Sequence, residues 1–398
     1  MSRVRLARIA LVFLLATMIW LPCVHRIYAV DDDARTAIRT SLAAQQIDAW
    51  ARPPAERDDL RRMRGVNPEW DFMSRTYTTL ALADLALAGD DPERARMLVT
   101  IDAILDDTLR LEESRGDLHF LLPYAQRGPF LDPEGRSVFV DGEILMMIAA
   151  RELVAPRPEL ASDAKTRAAR IVRAMQRSPS MSAESYPDEC WTFCNTTALA
   201  ALAMLDRSGL VPGVDHASIG RAWIDHARVH LVDRRTGILI SSYTYGGRTL
   251  DGPEGSSIWM SAQNLLFVDE AFAREQYALA RRELGVTFLG FGWAREWPKG
   301  VPQHPDVDSG PIVPLLDASA GASGLALLGA TAFDDRPFRD GLLASLELAA
   351  FPEQSARGRR YQASNAVGDA VVLRALSTGP LLARMRERRV SSGGEGVR

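Results

Sequence analysis

Two kinds of helix alternate along this chain, and no other feature limits its fold as tightly. One kind is small and apolar on every side, at residues 196–205, 318–330 and 366–376; the other carries a charged face, at 164–177, 221–232, 274–283 and 336–348. A helix apolar all round must be enclosed, whereas an amphipathic one covers something with one face and meets water with the other. A buried helix followed by a half-exposed one, repeated about six times, predicts an all-α fold: a single (α/α)6 barrel, or toroid, of alternating inner and outer helices.

Helical periodicity places the elements at 34–51, 71–88, 92–113, 141–154, 162–177, 192–207, 216–232, 256–270, 272–284, 318–331, 336–350, 364–377 and 380–387. Breakers separate them, among them Gly89-Asp90-Asp91-Pro92, Pro156-Arg157-Pro158 and Gly252-Pro253. No stretch shows sustained strand alternation. Three long polar loops, 116–135, 233–255 and 285–314, each run into an expected inner helix. In a toroid such loops gather at one rim, and loops of this length in a compact domain are usually functional.

The amino terminus is set apart. Arg3, Arg5 and Arg8 precede a charge-free apolar run over 9–24, and His25 and Arg26 end it. A spanning helix needs roughly 17–25 residues, so the run is long for a signal-peptide core and short for a span. Ala29 offers a cleavage edge, but Ile27 fits poorly two residues before it, and Trp20-Leu21-Pro22-Cys23 lacks the small residues expected before a lipidated cysteine. The organisation expected is a signal anchor or signal peptide over 1–30, with the balance towards an uncleaved anchor, a barrel over 31–388 and a flexible tail over 389–398. The positive-inside rule puts the barrel in a periplasmic or other extracytoplasmic compartment, tethered to the membrane.

Net charge is −4 and no basic stripe interleaves with aromatics, which excludes nucleic acid as a partner. No phosphate-cradling glycine motif is present. Of the three cysteines, Cys190 and Cys194 belong to the barrel, and a lone C-x3-C pair has no second pair with which to bind zinc. His226 and His230 share a helix face but lack the acid and third ligand of a zinc motif. Neither a metal nor a cofactor is expected.

The segment 185–205 packs two thiols, acids, aromatics and an amide at the start of a helix, where unpaired amides favour anions and thiolates. Asp188 and Glu189 read equally well as capping acids, and Cys194 as a small core residue. Polar residues at the starts of the expected inner helices would face one cavity: Asp71, Ser74, Arg75 and Tyr77; Asp141 and Glu143; Tyr186, Asp188, Cys190, Cys194 and Asn195; Trp259 and Gln263; Asp306, Asp308 and Ser309; Asn365 and Asp369. Paired carboxyls in a partly apolar pocket suit acid–base chemistry, one kept protonated by desolvation and the other ionised.

The block from Ser185 to Ala198 resembles the signature of the linalool dehydratase/isomerase family, with Pro187-Asp188, Cys194 and Asn195 in place. The resemblance continues weakly, in order, through Trp223-Ile224-Asp225, Leu231-Val232-Asp233, residues 237–243, Trp259-x-Ser261-Ala262 and residues 318–330. It implies an (α/α)6 barrel that works outside the cytoplasm and adds or removes water at an allylic alcohol without a cofactor; it also leaves homo-oligomeric rings open. Two departures stand against it. Ser185 occupies the place of the family's first cysteine, and Glu143 that of its active-site histidine.

The residue set expected to carry chemistry is therefore Glu143 and Asp188 as proton donor and acceptor, with Cys194 and Asp308. Asp71, Tyr77, Asp141, Tyr186, Asn195, Tyr243 and Trp259 are expected to bind the substrate. Three functions compete: a lyase or isomerase of a small alcohol or terpenoid; a carbohydrate-active enzyme of the cell envelope, which could be a glycosidase, an epimerase or a polysaccharide lyase; and a non-catalytic tethered barrel.

Overall fold

The computed structural model describes residues 3–301 and 310–387. Six helices form a closed inner ring: α4 (Pro68–Ala88), α6 (Val138–Val154), α8 (Thr192–Ser208), α10 (Gly255–Leu265), α12 (Ala320–Ala332) and α14 (Ala366–Ser377). Each packs on the next, and α14 returns to α4. Around them stand α2 (Asp32–Ala51), α5 (Asp91–Arg115), α7 (Ala161–Arg177), α9 (Ala217–His230), α11 (Glu270–Glu283) and α13 (Arg336–Ala349). The ring closes because the inner helices are apolar all round. In α6 the stretch from Val138 to Arg151 is wholly buried, whereas α7 buries only one face. The expected α/α toroid is what the chain forms.

The two ends of the barrel differ. At one end, inner helices pass to outer ones through short links such as Gly89-Asp90 and 333–335. At the other, outer helices return through the long segments, so every inner helix begins at that rim, here called the mouth. The closed end is covered by α15 (Pro380–Arg386), which packs on α4 and α6. There Asp84 of α4 pairs with the fully buried Arg374 of α14, and its other oxygen accepts the Leu381 N–H at 2.7 Å.

Two kinds of element escaped the periodicity. A short helix, α3 (Asp58–Val66), precedes the first inner helix. Among the described residues nine strands of two to four residues lie in the loops. They are β1 (Cys190–Trp191), β2 (Ser242–Tyr243), β3 (Thr249–Asp251), β4 (Gly285–Phe288), β5 (Phe291–Ala294), β6 (Ile312–Val313), β7 (Ala318–Ser319), β8 (Pro352–Ser355) and β9 (Gly358–Tyr361). They form antiparallel sheets in the orders β1-β2-β3, β4-β5-β7-β6 and β8-β9. Most of these strands are shorter than the four residues that alternation needs, and the four-residue ones give it only one full period or two. Residues 318–319, expected as helix, form β7 instead, with Ser319 capping α12 by accepting the Ala322 N–H.

The amino-terminal helix α1 (Arg3–Trp20) buries no residue and, with the 3₁₀ turn that follows, is long and apolar enough to cross a membrane. Asp308, together with Asp306 and Ser309, lies outside the described residues, as does the expected tail.

Candidate functional site

The mouth is organised by the segment leading into α8. Asn195, in the first turn of that helix, gives its whole amide to backbone. Its Oδ1 accepts the Ala183 N–H at 2.8 Å, and its Nδ2 donates to Ala183 and Trp191 carbonyls, each at 3.0 Å. This clamps a tight turn in which Tyr186 and Glu189 face each other as an antiparallel bridge. Pro187 and Asp188 occupy the corner, with Asp188 at φ 55°. The corner throws Asp188 into solvent, where its Oδ1 accepts the Tyr245 N–H at 3.1 Å, and turns Glu189 inward.

Around that turn a cluster assembles. The Tyr186 ring stacks on Tyr124, centroids 4.3 Å apart and planes 19° from parallel. Its hydroxyl donates to Glu69, in the first turn of α4, and accepts the Leu122 N–H at 2.9 Å. The Tyr124 hydroxyl donates to Glu189 at 3.3 Å, and the Trp191 indole N–H donates to the same oxygen. Tyr124, Trp191 and Phe193 keep part of their surface open.

Beneath them, Cys194 feels the charges of Glu69, Glu143 and Glu189 together. Burial first, then those carboxylates, push its thiol well above the ordinary range, and burial does the same to Cys190. Both cysteines are therefore neutral thiols. The helix-terminus argument for a thiolate fails here because desolvation outweighs the helix end. The two are not bonded to each other.

Glu143 is the central group. It lies about one and a half turns into α6. The neighbouring Gly142 lets α6 close on α8, since a Cβ there would stand 3.2 Å from the Ala198 Cα. Burial raises the Glu143 carboxyl to about 7, and the nearby Thr76 hydroxyl offsets only part of this. Among the described residues no Lys, Arg or His forms an ion pair with it. The Tyr77 phenol is raised by burial and by the charge of Glu143, which the charge of Arg374 partly offsets. Arg374 is itself pulled down to about 10 by burial. Of the expected site residues, then, Glu143, Cys194, Tyr186 and Tyr77 come together.

The others are engaged elsewhere. Asp141 is held by three guanidiniums, Arg136, Arg167 and Arg170, the last two at 2.8 and 2.9 Å, on the side of α6 that faces α7. Asp71 pairs with Arg64 and Arg75. Tyr243 is fully buried, with its hydroxyl 2.7 Å from Ser182 Oγ, which also takes the Trp223 N–H. Trp259 points outward between the rings, against Tyr277 of α11 and Phe338 of α13. These four hold the wall together and do not line the cluster.

Glu69, Glu189 and Tyr124 were not singled out from the sequence. Glu69 follows Asn67-Pro68, and Asn67 Oδ1 accepts the Glu69 N–H, so it looks like any acid at a helix start. For Glu189 a signal existed: Pro-Asp at the corner of a four-residue turn sets Tyr186 and Glu189 opposite each other. Among the described residues no group of three His, Cys, Asp or Glu side chains could hold a metal ion. The cluster can offer a neutral carboxyl, two hydrogen-bonded carboxyls and open aromatic faces, which suffices for proton transfer.

No protein-family model matches the chain, and no curated protein matches it in sequence. Among solved structures, it is similar to a selenomethionine derivative of a GH76 alpha-mannanase from Bacteroides thetaiotaomicron, at 10% identity and a TM-score of 0.45, covering 77% of this chain and 85% of that one.

Proposed function

We propose that this protein is a cofactor-independent acid–base enzyme that hydrolyses a saccharide at the barrel mouth, on the extracytoplasmic side of a membrane. The observation that carries the reading is Glu143, a carboxyl raised to about 7 by burial and lying, like Glu69 and Glu189, near enough to Cys194 for its charge to bear on that thiol. A general acid must hold its proton at working pH, and a carboxyl does so only where desolvation disfavours its charge. Glu143 would give that proton to the leaving oxygen as the glycosidic bond breaks. Glu189, taking hydrogen bonds from Tyr124 and Trp191, would accept a proton from the attacking water, whose oxygen joins the anomeric carbon. The half-exposed Trp191 ring would stack on the sugar. The arginines at 3, 5 and 8, in the first turns of α1, support a barrel on the outer side.

A second reading keeps the small-alcohol chemistry implied by the family resemblance. It is favoured by the position of Cys194 beside Glu143, with Ser185 bearing on the thiol. One screen separates the two. The full chain in detergent is assayed against neutral oligosaccharides and against allylic alcohols, with Glu143→Gln and Glu189→Gln in parallel. Reducing-end release by the wild type, lost in both variants, supports the hydrolase. Turnover of an alcohol that Cys194→Ala abolishes supports the second reading. If neither substrate class is turned over by the folded wild type, the catalytic proposal fails.

A further inference from the structure

The turn that follows the apolar helix α1 folds back onto the barrel instead of hanging free. Residues 21–28 form a 3₁₀ helix that packs on α13 and on the β4–β5 hairpin. The His25 and Tyr28 rings each lie 6.3 Å from Phe291, the first at 82°. At the hairpin tip Gly290, with φ 82°, comes so close that a Cβ there would stand 2.2 Å from the His25 ring. The hairpin is in turn fixed to the barrel. Gly292 lies against Gly341 of α13, and its N–H donates to Ser345 Oγ at 3.1 Å.

This chain of contacts sets a distance. His25 is five residues beyond Trp20, where α1 ends. At about 2 Å rise per residue in a 3₁₀ helix, His25 sits about 10 Å beyond the end of the apolar helix, with the hairpin tip against its ring. If α1 spans a bilayer, that depth is the headgroup region. The residue the tip presents there is Phe288, 62% exposed, beside Leu289 in a left-handed conformation at φ 49°. A large aromatic at the tip of a rigid hairpin has no packing purpose in water, whereas Phe and Leu side chains of surface-bound elements bury themselves at the headgroup–acyl boundary.

From this continuity with the span we infer that the Phe288–Leu289 tip is a second membrane contact, inserted into the bilayer interface beside α1, so that the barrel is held in one orientation against the lipid. The inference rests on α1 as a span and is independent of the catalytic reading.

The test uses the full chain carrying Cys23→Ser, reconstituted in vesicles of phosphatidylcholine and phosphatidylglycerol with or without brominated acyl chains. A bimane is attached in turn through Phe288→Cys, Phe13→Cys on α1 and Val229→Cys on α9, all exposed positions. The expected result is strong quenching by brominated lipid at 13, clear quenching at 288 and none at 229. Quenching at 13 with 288 as unquenched as 229 overturns the tip contact while leaving the span intact. No quenching at 13 overturns the span and the tip contact together. A bimane at 288 that is shielded in detergent in proportion to protein concentration, and unquenched in vesicles, would assign the tip to a second copy of the chain and overturn the lipid contact.

Discussion

Tyr186 lies face to face with Tyr124, ring centroids 4.3 Å apart, and the two phenols donate to different glutamates, Glu69 and Glu189. The stack thus fixes the spacing of two carboxyls that come from α4 and from the turn before α8. Tyr186→Phe should keep the stack but lose the bond to Glu69 and strand the Leu122 N–H. An unsatisfied buried donor costs about 1–3 kcal/mol. The expected outcome is a loss of that size in urea denaturation. Tyr124→Phe removes one bond at 3.3 Å and should cost less than about 1 kcal/mol.

Glu143 makes stability depend on pH in a definite direction. Its folded value of about 7 stands above its ordinary value of 4.5. Below 4.5 both folded and unfolded chains hold the proton and there is no penalty. As pH rises from 4.5 through 7 the unfolded chain loses its proton first, so the fold loses stability, by about 3 kcal/mol at 1.36 kcal/mol per unit. Glu143→Gln has no such slope. The variant should be inactive, yet more stable than the wild type at pH 8 and no more stable at pH 4, as read from denaturation midpoints at the two pH values. Asp369, also buried and raised to about 7, adds to the slope in both proteins and cancels in the comparison.

Asn195 should prove structural in a measurable way. Asn195→Ala leaves the Ala183 N–H and two carbonyls without their partner. A loss of about 2–4 kcal/mol is expected from the unsatisfied groups. Turnover should fall with it even at temperatures where the variant is folded, because the turn that aims Glu189 is no longer clamped.

Asp188 should tolerate change. Glycine suits its left-handed backbone without strain, and the side chain makes one hydrogen bond, to the Tyr245 N–H. Asp188→Gly should alter stability by no more than about 1 kcal/mol and leave turnover unchanged. A catalytic Asp188 would instead cost orders of magnitude in kcat.

The contrast between Asp188 and Glu189 shows what was legible in the sequence and what was not. The alternation of enclosed and amphipathic helices carried the fold, because it records burial, which is a property of each helix by itself. Glu143 was read only as one of several polar residues at the starts of expected inner helices, standing where the resembled family has a histidine. Asp141 looked equally suited, yet its three arginines come from the loop before α6 and from α7, and nothing local announces such pairing. Trp259 sits on the inner helix α10 but faces α11 and α13, a rotation that periodicity leaves undefined in a helix buried on every side, and Tyr243 sits in β2 with its hydroxyl on Ser182. In the turn at 186–189 a single residue of register decides which acid faces inward.

The protonation of Glu143 is the measurement closest to the centre of this account. Infrared difference spectra of the wild type against Glu143→Gln, collected as a pH titration, isolate its carboxyl stretch. A protonated carboxyl band should persist at neutral pH and titrate near about 7, and be absent from the variant. A Glu143 band that has already converted to carboxylate in the ordinary glutamate range would contradict it, since the mouth would then hold no proton donor for the proposed reaction.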